Sequence, residues 1–257
     1  MQKYNRIELM VCTAARILED NSIVVVGTGI PCAAAMLSQK LFAPNLTIMF
    51  EAGGVAPLLP SMPISVGDSR TFYKGIKATS MPEIMETCQR GMVDFAFIGG
   101  AQIDKYGNVN STIIGEDYYK PKVRLPGSGG ANDLASLCWK TIIIMIQDRR
   151  RFIAKVDFVT TPGYLTGKEA REKTGLPKGT GPYKVITNLA VMGFDKETKR
   201  MKVESIHPGA TKEEILKNTG FDLMWKREIK ETKPPTSEEL KVLREEIDPY
   251  GYVIGRQ

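Results

Sequence analysis

Glu51 ends an apolar run, Thr47-Ile-Met-Phe50, and is followed by Ala52-Gly-Gly54. A buried strand that stops at a carboxylate carries that acid to the carboxyl end of a sheet, where open α/β folds gather their ligands. The small residues after it let other backbone or a ligand come close. Glu51 is therefore either a working acid or a solvated residue that marks a strand end. A second stretch is Pro126-Gly-Ser-Gly-Gly-Ala-Asn-Asp133, which runs into an apolar helical pattern. Backbone N–H groups at such a turn can face an anion, or a carbonyl oxygen as it gathers charge, although a plain tight turn uses the same residues. Three glycines, Gly127, Gly129 and Gly130, are more than a plain turn needs.

The rest of the composition narrows the chemistry. The 257 residues contain one histidine, His207, so a Ser-His-Asp or Cys-His mechanism would have to use it. It lies in Ser205-Ile-His-Pro-Gly209, which reads as a turn. Cys12, Cys32, Cys88 and Cys138 are far apart and form no C-x-x-C pair, so zinc and redox motifs find no support and no metal site is expected. They read as reduced, buried, small apolar residues. The net charge of +6 suits an anionic ligand, yet the densest basic cluster, Arg149-Arg150-Arg151, lacks interleaved aromatics, which speaks against nucleic acid. No apolar run is long enough for a membrane span, and Met1 to Glu8 lacks the layout of a secretory signal, so a cytoplasmic protein is expected.

The elements that must position these residues follow from periodicity and punctuation. Ile7, Met10, Val11, Ala14, Ala15 and Leu18 predict an amphipathic helix over 7–19. Ser22 to Val26 predicts a strand, Gly27-Thr-Gly-Ile-Pro31 a turn, Cys32 to Leu41 a helix and Leu46 to Phe50 a second strand. This strand-helix-strand unit implies parallel pairing. It also has the look of a dinucleotide-binding front, with Glu51 on a ribose, but the third glycine of that fingerprint falls at Cys32. Residues 54–80 read as a long structured loop, Pro82 to Arg90 as a helix, and Asp94 to Ile98 and Val109 to Ile113 as strands. Thr141 to Ile146 and Val156 to Thr160 read as further strands, and Tyr164 to Tyr183 as a loop. Lys184 to Thr187, Ala190 to Phe194 and Met201 to Ile206 read as an antiparallel meander. Capping boxes at Thr211-Lys-Glu-Glu214 and Thr236-Ser-Glu-Glu239 open helices over 212–218 and 237–247. The prediction is an α/β fold over 1–257, one domain with a mixed, largely parallel sheet flanked by helices.

Val26-Gly-Thr-Gly-Ile-Pro31, Phe50-Glu-Ala-Gly-Gly54, Gly99-Gly-Ala-Gln-Ile-Asp104, Tyr106-Gly-Asn-Val-Asn-Ser-Thr112 and Gly127-Ser-Gly-Gly-Ala-Asn132, taken in that order, resemble the family I CoA-transferases. The resemblance is to beta (B) subunits of the glutaconate CoA-transferase type. It runs nearly end to end, through Arg150-Arg-Phe152, Val159-Thr-Thr-Pro-Gly163, Lys199-Arg-Met201, Asn218-Thr-Gly-Phe-Asp222 and Arg244-Glu-Glu-Ile-Asp-Pro249. It implies the CoA-transferase fold and a nucleophilic glutamate at Glu51, which would pass through a mixed anhydride to a covalent glutamyl-CoA thioester. Coenzyme A would be substrate and intermediate, with no permanently bound cofactor, and the acids would be dicarboxylates such as glutaconate. Gly127, Ser128, Gly129, Gly130 and Ala131 would line the CoA and oxyanion region, while Gly27, Gly29, Gly53, Gly99, Gly100 and Gln102 would shape the pocket. The family pairs this half with a homologous alpha (A) subunit, which implies a hetero-oligomer. Ala52 stands where many relatives carry Asn or Ser. Relatives on the same scaffold hydrolyse or decarboxylate CoA thioesters, and others are sugar-phosphate sensor modules. A sensor of that kind calls for a DNA-binding helix pair, and the single helix before Ser22 leaves no room for one.

Overall fold

The computed structural model describes residues 3–255, so the first two and last two residues of the 1–257 span lie outside it, Met1 and Gln2 of the N-terminal reading among them. The chain packs as two compact units, Met1–Phe97 with Lys233–Gln257 and Ile98–Thr232. Both are mixed α/β arrangements that combine parallel and antiparallel strand pairs, and a mixed sheet is what the sequence predicts.

In the first unit, α1 (Arg6–Ala15) is opened by a full capping box between Asn5 and Glu8 and packs against α2 (Ile30–Leu41). Between them in the chain runs β1 (Ile23–Val26), and α2 is followed by β2 (Thr47–Phe50), which pairs with β1 in parallel from Ile23↔Thr47 to Val26↔Phe50. Cys32 to Leu37 of α2 are buried, and its three alanines let it lie close against its neighbours. The region 54–80 is more structured than a loop. It contains β3 (Gly54–Val55), a 3-10 turn over Ser69–Phe72 and β4 (Lys77–Ala78), and these extend the sheet by antiparallel steps. After α3 (Met81–Gln89), β5 (Phe95–Ile98) pairs with β1 on its other side, giving the order β5-β1-β2-β3-β4.

The second unit opens with two short antiparallel pairs. One joins β6 (Gln102–Ile103) to β7 (Val109–Asn110), the other β8 (Ile113–Ile114) to β9 (Val123–Arg124). The strand predicted over 109–113 is thus broken in two, because Asn110 turns its side chain onto Gln102 and the Ile113 carbonyl. Then come α4 (Ala131–Leu137), β10 (Lys140–Ile144) and α5 (Ala170–Lys173), a helix inside the segment read as a loop. The meander is borne out as β11 (Pro182–Ile186), β12 (Ala190–Phe194) and β13 (Met201–Ile206). After α6 (Lys212–Lys217) the chain adds β14 (Met224–Glu231), parallel to β13, which the sequence reading does not contain. The core lies against one face of the sheet, the face of Ile143, Val185, Met192 and Val203, and also takes in Ile103, Val109 and Phe152.

Val156 to Thr160 is not a strand. Its backbone is claimed from the side: the Asp157 N–H donates to Gln102 Oε1, and the Thr160 N–H to the Val109 carbonyl. The final segment returns to the first unit as α7 (Ser237–Val242), whose last turns widen into a π-helix over Leu243–Ile247. It is held there by ion pairs. Arg244 reaches Glu8 Oε1 at 2.6 Å, and Arg16 Nε donates to Glu239 Oε1 at 2.7 Å. Glu8 has no exposed surface and Glu239 almost none, so each carboxylate depends on its arginine.

Candidate active site

The parallel register fixes the first half of the site. Val26 lies opposite Phe50, so the residues that follow, Gly27 and Glu51, leave adjacent strands at the same carboxyl edge. At Glu51 the chain reverses: the Gly53 N–H donates to the Phe50 carbonyl at 2.9 Å, and β3 returns antiparallel with Val55 opposite Met49. Gly53 has a φ of 116°, and a Cβ built there would stand 2.0 Å from the Thr79 carbonyl oxygen. At Gly54 a Cβ would meet the Thr71 carbonyl oxygen at 1.9 Å. The closeness that the small residues permit is taken up by backbone, which clamps the turn beneath a half-buried Glu51. On the other strand, a Cβ at Gly27 or Gly29 would meet nothing within 4 Å. Gly29, with φ at 79°, caps α2 without a side-chain bond, so the helix begins beside open space at Ile30, three residues past Gly27.

The second unit holds the other predicted residues. The Gly127 N–H is bound to the Ser111 carbonyl and the Ala131 N–H to the Ser128 carbonyl. The N–H groups of Ser128 and Gly129 have no partner among the described residues, and both residues are exposed. Gly130 is buried and caps α4. A polar chain lies under this loop. Ser111 Oγ donates to the Gly127 carbonyl at 2.8 Å, the Ser111 N–H donates to Thr160 Oγ1, and Thr160 donates to Asn110 Oδ1. Asn110 then donates to Gln102 at 2.6 Å. Gln102 is buried with its amide committed to Asn110 and Asp157, so it supports the loop from beneath. A Cβ at Gly100 would fall 2.2 Å from Val109 Cγ1, and one at Gly99 would fall 3.3 Å from the Ile144 carbonyl. Ser111, Thr160 and Asn110 are residues the sequence reading did not single out for the site. The density of Asn, Ser and Thr in 108–112 is the trace of Asn110 and Ser111 in the sequence, and Thr160 lies in the Val159-Thr-Thr-Pro-Gly163 stretch.

The coenzyme A transferase family model matches residues 7–218. The chain belongs to this family. It is 40% identical to the B subunit of glutaconate CoA-transferase from Acidaminococcus fermentans, over 96% of this chain and 93% of that one. It is 38% identical to the B subunit of 3-oxoadipate CoA-transferase from Pseudomonas knackmussii, over 95% and 94%. The crystal structure of glutaconate coenzyme A-transferase from Acidaminococcus fermentans superposes with a TM-score of 0.94 at 38% identity, covering 99% of both chains.

In this CoA-transferase chain, α4 is fixed at the end away from the glycine loop by Arg171. Its guanidinium donates to the carbonyls of Ala135, Ser136, Pro162 and Gly163 and to Thr180 Oγ1, and no carboxylate among the described residues pairs with it. Burial pulls its pKa down to about 10. His207 is buried as a turn residue. Its Nε2 faces the Thr187 carbonyl, which requires a proton there, and Nδ1 is hydrogen-bonded to Thr232 Oγ1. All four cysteines are free and buried, and burial pushes the Cys12 and Cys32 thiols up to about 12. Among the described residues no group of three or more His, Cys, Asp or Glu is placed to hold a metal ion, and no helix is long and apolar enough to cross a membrane.

Proposed function

We propose that residues 1–257 form the catalytic B subunit of a cytoplasmic CoA-transferase that moves coenzyme A between dicarboxylic acids, with Glu51 as nucleophile. The observation that carries this reading is the emergence of Glu51 beside Gly27 at the carboxyl edge of β1 and β2, on a turn that backbone contacts hold fixed, in a chain of this family. The Glu51 carboxylate attacks the thioester carbonyl of the donor acyl-CoA, and the C–S bond breaks to leave a mixed anhydride and CoA thiolate. The thiolate attacks the glutamyl carbonyl, and the donor acid leaves as its carboxylate. An acceptor carboxylate reverses both steps and departs as the new CoA ester, which regenerates Glu51 without net proton uptake. Each tetrahedral oxyanion needs donors, and the Ser128 and Gly129 N–H groups are assigned that part within the Gly127–Ala131 loop. Gly27, Gly29 and Gly53 shape the space around the acid, and Gly99, Gly100 and Gln102 hold the floor under the loop.

Coenzyme A is a substrate here and no resident cofactor is called for. The relatives at 40% and 38% identity are both named as B subunits and both named for dicarboxylates, which supports a homologous A subunit as partner and a dicarboxylate as acceptor. The test is to purify the chain with its A subunit, add acyl-CoA without acceptor acid, and search peptides by mass spectrometry for a CoA adduct on Glu51. An adduct on Glu51, converted to an alcohol by borohydride, is the expected result. Steady release of free CoA with no adduct would instead identify a thioester hydrolase.

A further inference from the structure

Residues 104–108 close the β6–β7 hairpin, whose open end at Gln102 and Asn110 carries the polar chain beneath the glycine loop. The closed end faces other parts of the second unit. There the Lys105 carbonyl accepts the N–H of Met201, the first residue of β13, and the Tyr106 carbonyl accepts the Tyr164 N–H. Two hollows meet at this tip, with Tyr106 and Thr166 as their common wall.

The first hollow, of about 370 Å³, is apolar. Val156, Val159 and Leu165 line it, and Val159 is left 46% exposed. Its two buried polar side chains are spent on their neighbours. Asp104 accepts the N–H groups of Tyr106 and Asn108 and the Asn108 side-chain amide, while Asn108 Oδ1 accepts the N–H groups of Gly163 and Leu165. Walls whose polar groups are already matched favour hydrocarbon. The Asp104 carboxylate also repels a second negative charge.

The second hollow, of about 470 Å³, is basic. Lys168, Lys173 and Arg200 line it, and its one lining carboxylate, Glu169, is matched by Lys173 at 3.3 Å. Arg200 donates Nη2 to the Asp222 carbonyl, but its Nε is buried without a hydrogen-bond partner, and no carboxylate among the described residues pairs with it. Lys168 is exposed and bonded only through its backbone, to the Thr198 carbonyl. That backbone is set by Gly167, where a Cβ would fall 2.6 Å from the Tyr106 ring and 2.7 Å from the Thr198 carbonyl oxygen.

An apolar hollow joined to one with unmatched positive charge sorts a ligand by its two ends. We infer that the tip of the β6–β7 hairpin binds a monocarboxylic acid with an apolar body. Arg200 and Lys168 hold the carboxylate, and the body passes Tyr106 into the hollow of Val156, Val159 and Leu165. The site is separate from the glycine loop and does not rest on the transfer chemistry assigned to Glu51.

The experiment titrates octanoate into the assembly with its A subunit by calorimetry, with hexanoate, butanoate and octanol for comparison. Affinity is expected to rise about fourfold with each methylene. Arg200→Gln combined with Lys168→Gln is expected to weaken octanoate about tenfold or more and to leave octanol unchanged, whereas Val159→Glu weakens both. Should the double variant fail to fold, the exposed Lys168→Gln alone carries the test, with a loss of about threefold. No binding of octanoate to the wild type, equal binding by wild type and variants, or octanol bound as tightly as octanoate would each overturn the inference. Loss of the A subunit from the variants would overturn it as well, by making the tip a contact between subunits. Because the readout is binding, its outcome is distinguishable from success or failure of CoA transfer.

Discussion

At the residue scale, two glycines near Glu51, Gly53 and Gly27, have different jobs although the sequence writes them alike. Gly53 is demanded by sterics, since any side chain there collides with the Thr79 carbonyl and φ is 116°. Gly53→Ala is therefore expected to destabilise the first unit by ~2–4 kcal/mol, read as a lower denaturant midpoint. Gly27 faces open space, so Gly27→Ala should leave stability within about 0.5 kcal/mol of wild type, and any fall in turnover then reports on the site. Glu51→Gln keeps size and shape but removes the nucleophile, and is expected to abolish transfer with an unchanged melting midpoint. Retention of full activity would remove Glu51 from its proposed role. At the glycine loop, Gly129→Ala should lower kcat by more than its stability cost of about 1 kcal/mol, which comes from a φ of 49°, because Gly129 is exposed and its N–H has no partner among the described residues.

At the scale of elements, the staple on α4 is a buried cation served by neutral oxygens. Arg171→Met removes it and strands the carbonyls of Ala135, Ser136, Pro162 and Gly163, which should cost about 3 kcal/mol in equilibrium unfolding. The β12–β13 turn gives a pH signature. Asp195 accepts the N–H and hydroxyl of Thr198, and these bonds hold its pKa down at about 2. A depressed carboxylate contributes stability above its unfolded pKa and loses it as pH falls through the folded value. Melting midpoints of Asp195→Asn should thus fall less steeply than wild type between about pH 4 and pH 2. The first strand-helix-strand unit was legible because apolar runs alternate with glycine and proline, and Glu51 was legible because it interrupts such a run. β14 was not, since an edge strand hides its period behind the charges that keep it from pairing with other chains. The run at 156–160 misled because its β-branched residues give no sign that Gln102 takes their backbone. Arg171 sits among lysines and glycines, where a cation reads as solvated; only the structure shows what surrounds it.

At the scale of the whole molecule, the first unit is made from both ends of the chain. Glu8 lies at its centre with no exposed surface, bonded by Arg244 at 2.6 Å and 3.0 Å. Arg244→Met takes the ion pair away from a carboxylate with no exposed surface and is expected to cost ~3–5 kcal/mol. The loss should fall on one unit: hydrogen exchange should quicken across α1 and α2 while β11 to β13 keep their protection, whereas uniform loss would mean that the units unfold as one. The same layout sets an order of events on the ribosome. Residues 98–232 emerge as an uninterrupted stretch and can close their own core, while residues 1–97 wait with the Glu8 face of α1 uncovered until residue 244 has been made. Through that interval the nascent chain shows an apolar helix face that the C-terminal segment does not yet cover, a surface for chaperones to shield and for quality control to inspect.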